Sequence, residues 1–425
     1  MKTASPPLAS SWLVIVGVGE DGPEGLSPVA RALIGMARTV LGSARHLERV
    51  ASLVPAAAEC LPWTSLAAAL ATIEARRGWP VVVLASGDPM LYGIGATLAR
   101  RFPATEMMVV PHVSAFSLAA ARLGWPLQDV ETLTVHGRPL ESLVLYLAPG
   151  VRLLALSKDG NTPHRVAALL TAQGFGPSRM TVLEHLGGAA ERHVTGQADQ
   201  WPKLRTADLN TLAIECVATE GWQGWGRSAG LPDEAYFHDG QLTKREVRAA
   251  TLAALAPRPG ELLWDIGAGT GSIAIEWLRT HPATTAVAVE QNAARGAVIA
   301  INAARLGVPR LQVVRDRAPA CLDRLYGPPA AVFVGGGVSV PDLLETCWTA
   351  LPTGGRIVVN AVTIEAEARL LAWRAVHGGT LVRLAVARLR PMGRLSAWDA
   401  LAPVTQYQGV KPQNPQRIQC QDQEE

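Results

Sequence analysis

"LLWDIGAGTGSIAIEW", residues 262–277, is the stretch that decides the fold of the chain's second half. Leu262–Ile266 is an apolar run of strand length, and Ser272–Arg279 repeats apolar residues at helical spacing. Between them Gly267, Ala268, Gly269, Thr270 and Gly271 must turn the chain sharply. Glycine permits such a turn and lets a ligand approach the backbone, while the first N–H groups of the helix stay free to bind a polar group. A strand, glycine turn and helix in succession point to a nucleotide cofactor without saying which. Two carboxylates narrow the choice. Asp265 precedes the first glycine by two residues, where it would repel a pyrophosphate but suits the ammonium of S-adenosylmethionine. Glu290 closes the next apolar run, 23 residues past Gly267 in "AVAVEQN". A carboxylate there accepts the hydroxyls of a ribose, whether in a methyl donor or in NAD.

Further along, "VVRDRAPACL" places Asp316, Arg317 and Ala318 where an adenine would lie. Gly335–Gly337 in "VFVGGG" leave either an open floor for a bulky ligand or a loose strand exit. Base N-methyltransferases carry Asn-Pro-Pro-aromatic at this point to grip a flipped base, and that motif is absent, which speaks against a nucleic-acid substrate. The same alternation of short apolar runs and helical stretches fills the chain. Strands are expected at Leu13–Val18, Val81–Ala85, Met108–Pro111, Leu153–Leu156, Leu212–Ile214, Ala286–Glu290, Leu311–Val314, Ala331–Val334 and Arg356–Asn360. Helices are expected at Pro28–Met36, Ala96–Arg101 and Ala293–Leu306. This is an α/β pattern with largely parallel sheets.

A chain of 425 residues is too long for one ordinary core, and 48% apolar with 18% charged residues suits packed domains. The composition shifts near 219–240, so we divide the chain into a disordered N-terminus (1–11), a first domain (12–218), a linker (219–229), a second domain (230–411) and a disordered tail (412–425). A net charge of +3 does not advertise a nucleic-acid or membrane surface. Five cysteines form no CxxC pair and fit reduced thiols, and nine histidines are scattered without ligand spacing, so no metal site is expected. The apolar run after Trp12 is broken by Gly17 and Gly19, too short for a signal peptide or membrane span, which implies a cytoplasmic protein.

The first half has its own turns. "WLVIVGVGEDGPEGLSPVARALI" (12–34) is a strand, a glycine turn and a Pro-started helix, a structural turn or a binding loop with equal claim. "VVVLASGDPMLYGIG" (81–95) and "VVPHVSAFSLAAARLGW" (109–125) follow. This set resembles the tetrapyrrole methyltransferases, and among them the precorrin C-5 enzymes. The resemblance implies a two-lobed αβα fold that holds S-adenosylmethionine against Gly87, Asp88, Tyr92, Ser114 and Ala115. His136 and Arg138 in "TVHGRP" are weaker substrate candidates.

The second half resembles the precorrin C-15 methyltransferases that also decarboxylate an acetate arm. The likeness rests on "GLPDEAYFHDGQLTKREVRA", "DIGAGTGS", "AVAVEQN", "RAPACL", "VFVGGG", "GGRIVVNAVT" and "LRPMGRLSAWDALAPV" in that order over 230–410. It implies a Rossmann-like class I fold with Thr243, the 267–271 loop and Glu290 on a second S-adenosylmethionine. Gly336, Asn360, Arg390 and Arg394 become candidates for macrocycle contact. The chain departs from the family at Arg317, where an acid usually precedes Ala-Pro. Together the halves resemble the decarboxylating enzymes of cobalamin biosynthesis that methylate precorrin-6Y at C5 and C15, lose the C12 acetate carboxyl and yield precorrin-8X. The resemblance further implies a homo-oligomer. The competing readings are a dehydrogenase fused to a second α/β domain and a nucleic-acid methyltransferase.

Overall fold

The computed structural model describes residues 11–412. The termini expected to be disordered lie outside the described residues, apart from Ser11 and Pro412. The chain forms two compact units. One runs to Arg138 and resumes over Tyr146–Trp222; the other takes Pro139–Leu145 and everything from Gln223.

In the first unit β1 (Leu13–Val18), β2 (Thr39–Gly42), β3 (Glu59–Pro62), β4 (Val81–Ser86) and β5 (Met107–Val110) form a wholly parallel sheet in the order β3-β2-β4-β1-β5. Every residue of β1 is buried, as a strand covered on both faces requires. The helix Pro28–Gly35 starts where Ser27 accepts the Ala30 N–H and Pro28 fixes the first turn. A second sheet contains β6 (Val130–Thr134), β7 (Arg152–Leu156), β8 (Arg179–Glu184), β9 (Arg192–Gln197) and β10 (Asn210–Glu215) in the order β6-β7-β10-β8-β9. Here the expectation of largely parallel pairing fails. Only β6 and β7 run parallel; the other three pairs are antiparallel. The connection from β8 to β9, residues 185–191, is too short to carry the crossover that a parallel pair needs.

In the second unit β11 (Leu262–Ile266), β12 (Thr285–Val289), β13 (Gln312–Val314), β14 (Ala331–Val334) and β15 (Arg356–Ala361) are parallel. β16 (Thr380–Leu384) follows, then a separate two-stranded ribbon of β17 (Ala387–Met392) and β18 (Leu395–Ala400), and finally β19 (Val404–Val410). β19 inserts antiparallel between β15 and β16, giving the order β13-β12-β11-β14-β15-β19-β16. The chain leaves β11 for β12 on one side and later occupies β14 on the other. That is a topological switch point, where open α/β sheets bind ligands beyond the carboxyl ends of their strands. The core packs on both faces, around Trp277 and Ile275 on one and around Trp264, Leu344 and Leu370 on the other.

The lead-in to this unit is pinned by buried charge. Arg248 is fully buried, donates to Glu276 at 2.6 Å and lies 3.3 Å from Asp233. Glu276 also accepts the N–H groups of Gly230 and Leu231 and the Tyr236 hydroxyl, so its charge is satisfied. Among the described residues no helix is long and apolar enough to cross a membrane, and no group of three or more His, Cys, Asp or Glu is placed to hold a metal ion.

Candidate functional site

The second unit has a cavity of about 560 Å³ at the carboxyl ends of β11, β12 and β14. Its walls bring together Thr243, Gly267, Ala268, Gly269, Thr270, Glu290, Asp316, Arg317, Ala318, Gly336 and Asn360. Gly267 has φ +67, and a Cβ there would lie 3.0 Å from the Gly336 nitrogen. The turns after β11 and β14 therefore meet backbone to backbone. Glu290 is 5% exposed; its Oε2 accepts the Gly269 N–H at 2.8 Å and its Oε1 the Asn292 N–H at 2.9 Å. The carboxylate thus latches the glycine loop while one lone pair on each oxygen is left for a ligand. Asp316 accepts the Arg317 N–H and the Arg324 guanidinium, both at 2.7 Å, which hold its carboxyl below the usual range. Asn360 is fixed by donating to Thr251 Oγ1 at 3.0 Å and accepting from Gln406 Nε2 at 2.9 Å.

Two motif residues stand apart from the cavity lining. Asp265 lies fully buried beneath the loop. Its Oδ2 accepts the Ala274 N–H at 3.0 Å and its Oδ1 has no partner, so burial pushes the carboxyl up to about 7. It supports the helix N-terminus from below, outside the cavity lining. Gly271 has φ +78, and a Cβ there would sit 2.7 Å from Ile299 Cγ2, so it serves the packing of the helix Ala293–Arg305. Arg390 and Arg394 also stay away from the lining: the β17–β18 ribbon carries them outward, with Arg390 3.5 Å from Asp399. Arg388 on that ribbon binds Asp233 at 3.0 Å and Glu246 at 2.7 Å, tying the ribbon to the unit.

The first unit has a cavity of about 770 Å³ lined by loops from both of its sheets. Gly87, Asp88, Tyr92, Ser114 and Ala115 all line it, as does His136. Asp88 accepts the Met90 N–H at 2.8 Å, and Ser114 caps the helix Ala115–Leu123 by accepting the Ser117 N–H at 3.0 Å. Tyr92 donates to the Thr132 carbonyl at 3.1 Å, and the Arg138 guanidinium lies 5.2 Å over its ring. Sequence reasoning missed the polar end of this cavity. There Glu20 meets Arg45 at 2.8 Å, Arg49 at 2.7 Å and His185 at 3.1 Å, and His46 Nε2 lies 3.0 Å from Ser86 Oγ. Burial, with Arg45 adding to it, pushes the His46 imidazole down to about 4, so it is neutral at pH 7. Glu20 lies in a turn the sequence flags, but nothing in "GSARHLERV" marks Arg45 or His46 as its partners.

Comparison with known proteins agrees with this division. Residues 12–202 match the Tetrapyrrole (Corrin/Porphyrin) Methylases and residues 234–411 the Precorrin methyltransferase domain. Over 97% of its length the chain is 48% identical to the Precorrin-6Y C(5,15)-methyltransferase [decarboxylating] of a Sinorhizobium species, covering 99% of that protein. The chain belongs to the precorrin-6Y C(5,15)-methyltransferase family. It is a decarboxylating C-methyltransferase. The Mycobacterium tuberculosis member is 42% identical over 94% of this chain and 100% of its own. The crystal structure of the C-terminal domain of the Rhodobacter capsulatus member is 44% identical, covers 44% of this chain and 100% of its own, and gives a TM-score of 0.42.

Proposed function

We propose that this enzyme methylates precorrin-6Y at C5 in its first unit and at C15 in its second, where the C12 acetate also loses carbon dioxide, to give precorrin-8X. Each unit holds one S-adenosylmethionine. The observation that carries this reading is that each unit has a separate cavity, and each cavity is lined by motif residues of its own half, with Asp265, Gly271, Arg390 and Arg394 left outside the second. Both volumes, about 560 and about 770 Å³, fall in the range of small-molecule sites. The residues fit the cofactor: Glu290 offers free lone pairs to ribose hydroxyls, and the glycine turn admits the methionine portion close to the backbone. In the first unit the turns at Gly87 and Ser114 play the same part.

S-adenosylmethionine supplies a methyl group already activated on a sulfonium. The protein's share is therefore to align that methyl with an electron-rich ring carbon and to exclude water. The rigid walls do this, because Glu290, Asn360, Asp88 and Ser114 are each held by hydrogen bonds within the protein. At the polar end of the first cavity, Arg45 is the natural contact for a macrocycle carboxylate, since its guanidinium faces the cavity while Glu20 orients it. The exposed apolar residues of the β17–β18 ribbon, Leu389, Leu395 and Trp398, support a homo-oligomer. The enzyme works in the cytoplasm.

Two cavity-filling variants of the full chain test the division of labour. A Cβ at Gly336 meets nothing within 4 Å and Gly336 lines the second cavity, so Gly336→Trp is the variant chosen to fill it. Ala115 lines the first cavity, and Ala115→Trp is the variant chosen to fill that one. With precorrin-6Y and labelled cofactor, Gly336→Trp is expected to add one methyl and keep the acetate carboxyl. Ala115→Trp is expected to add one methyl and lose carbon dioxide. Either variant adding both methyls refutes the assignment.

A further inference from the structure

The second cavity must supply a proton as well as a methyl acceptor geometry. When the acetate carboxylate leaves, the C–C bond breaks, carbon dioxide departs, and the bonding pair passes into the conjugated macrocycle. The pair then returns to the side-chain carbon, which takes a proton and becomes a methyl group. Five charged side chains line this cavity: Lys244, Glu290, Arg295, Asp316 and Arg317. No histidine does. Glu290 accepts two backbone N–H groups and Asp316 accepts an N–H and a guanidinium, so the oxygens of both are engaged as acceptors. A guanidinium is a poor proton donor, which sets Arg295 and Arg317 aside, and Arg295 is paired with Asp239 at 2.8 Å. Lys244 alone carries a proton it can transfer.

Its setting fits that use. Lys244 is the residue before the helix Arg245–Leu255, with φ −64 and ψ 151, and its carbonyl accepts the Arg248 N–H at 2.8 Å. Its backbone is thereby fixed to the helix that the buried Arg248–Glu276 pair anchors. The side chain is half-buried, and among the described residues its ammonium has no hydrogen-bond or ion-pair partner. The acids nearest in sequence are occupied elsewhere: Glu246 by Arg388 at 2.7 Å, Asp239 by Arg295. A partly desolvated cation without a counter-ion, in a cavity whose substrate brings carboxylates, is poised to meet one.

We infer that Lys244 is the proton donor of the decarboxylation: its ammonium sits beside the acetate and delivers the proton that completes the new methyl group. The balance closes within the site. Carboxylate and ammonium go to carbon dioxide, a methyl group and a neutral amine, which regains its proton from water. The inference rests on the proposal that the second cavity decarboxylates the substrate.

The test uses the full chain with precorrin-6Y, following carbon dioxide release and product mass, with calorimetry for S-adenosylmethionine. Lys244→Met and Lys244→Arg are both expected to slow carbon dioxide release about a hundredfold or more, the arginine because it keeps the charge but cannot give up its proton. The cofactor dissociation constant should stay unchanged in both. In Lys244→Ala, an added primary amine should restore release, and more so as the amine's acidity rises. Wild-type release from Lys244→Arg would overturn the inference by reducing Lys244 to a charge anchor. Cofactor binding that weakens in step with release would overturn it by making Lys244 a cofactor ligand. Carbon dioxide release surviving in Gly336→Trp would instead refute the assignment of the reaction to this cavity, a separate failure.

Discussion

Replacing Glu290 by glutamine probes the second cavity most directly. Its two carboxylate oxygens accept the Gly269 and Asn292 N–H groups at 2.8 and 2.9 Å. Glutamine keeps the shape but turns one acceptor into a donor, so one of those N–H groups must face an NH2. The charge that would strengthen the bonds to the ribose hydroxyls is lost as well. A hydrogen bond to a charged group contributes about 1.5–3 kcal/mol. Losing one such bond raises the dissociation constant for S-adenosylmethionine about 10- to 150-fold, at 1.4 kcal/mol per tenfold. Calorimetry on the full chain should show two binding events in the wild type, and in Glu290→Gln one of them unchanged and one weakened by that factor. Thermal melting gives an independent reading. At cofactor one hundred times the wild-type dissociation constant, the site stabilises its unit by about 2.7 kcal/mol, against only about 0.4 kcal/mol for a site weakened a hundredfold. A dissociation constant that does not move at either site would remove Glu290 from the cofactor and refute the reasoning.

Three further substitutions test the framework of the second unit. Gly271→Ala forces a Cβ to within 2.7 Å of Ile299 at a φ of +78. Strain and overpacking together should cost about 2–4 kcal/mol, read as a lower urea midpoint for this unit; an unmoved midpoint would contradict the packing role. Arg248→Met leaves Glu276, 2% exposed, as a buried acid without its cation, while Asp233 keeps only Arg388 at 3.0 Å. We expect about 3–5 kcal/mol of destabilisation, and a loss below that of a surface pair would show the charges to be solvated. Asp265 has its carboxyl raised from 3.8 to about 7, so the folded state holds a proton the unfolded state releases. Its contribution is complete below pH 4 and fades as pH rises to 7. From pH 5 to pH 8 the wild type should therefore lose about 2–3 kcal/mol relative to Asp265→Asn in denaturant titrations. Stability curves that stay parallel would mean Asp265 is ionised throughout.

The parallel strands buried on both faces were legible because burial on two sides writes itself as a continuous apolar run, as in Leu13–Val18 and Leu262–Ile266. Strands with a wet face were not. β9 reads "RHVTGQ", with exposed and half-buried residues at a sheet edge, and no run of apolar residues announces it. β19 was hidden for another reason. "VTQYQGV" carries Gln406, which is buried only because its amide meets Thr251 and Asn360 across the sheet, a pairing set by tertiary structure. The ribbon Ala387–Ala400 was visible as a basic stretch, but its arginines could be placed only once Arg388 was seen to bind Asp233, 155 residues away.

The glycine loop shows why a motif identifies a site better than it identifies contacts. Its residues look alike in sequence, yet the fold gives them different work. Gly267 lets two loops touch, Gly271 lets a neighbouring helix approach, and the cavity is lined by Gly267 through Thr270 but not by Gly271. The two acids divide in the same way. Glu290 lies two residues further out than Asp265 does, since Asp265 pairs with Ala288 and Ile266 with Val289, leaving Glu290 just past the last rung. That two-residue offset puts one carboxylate at the cavity wall and seals the other beneath the turn. The charge that a ligand meets is thus set by strand register, and register is what spacing along the sequence does not record.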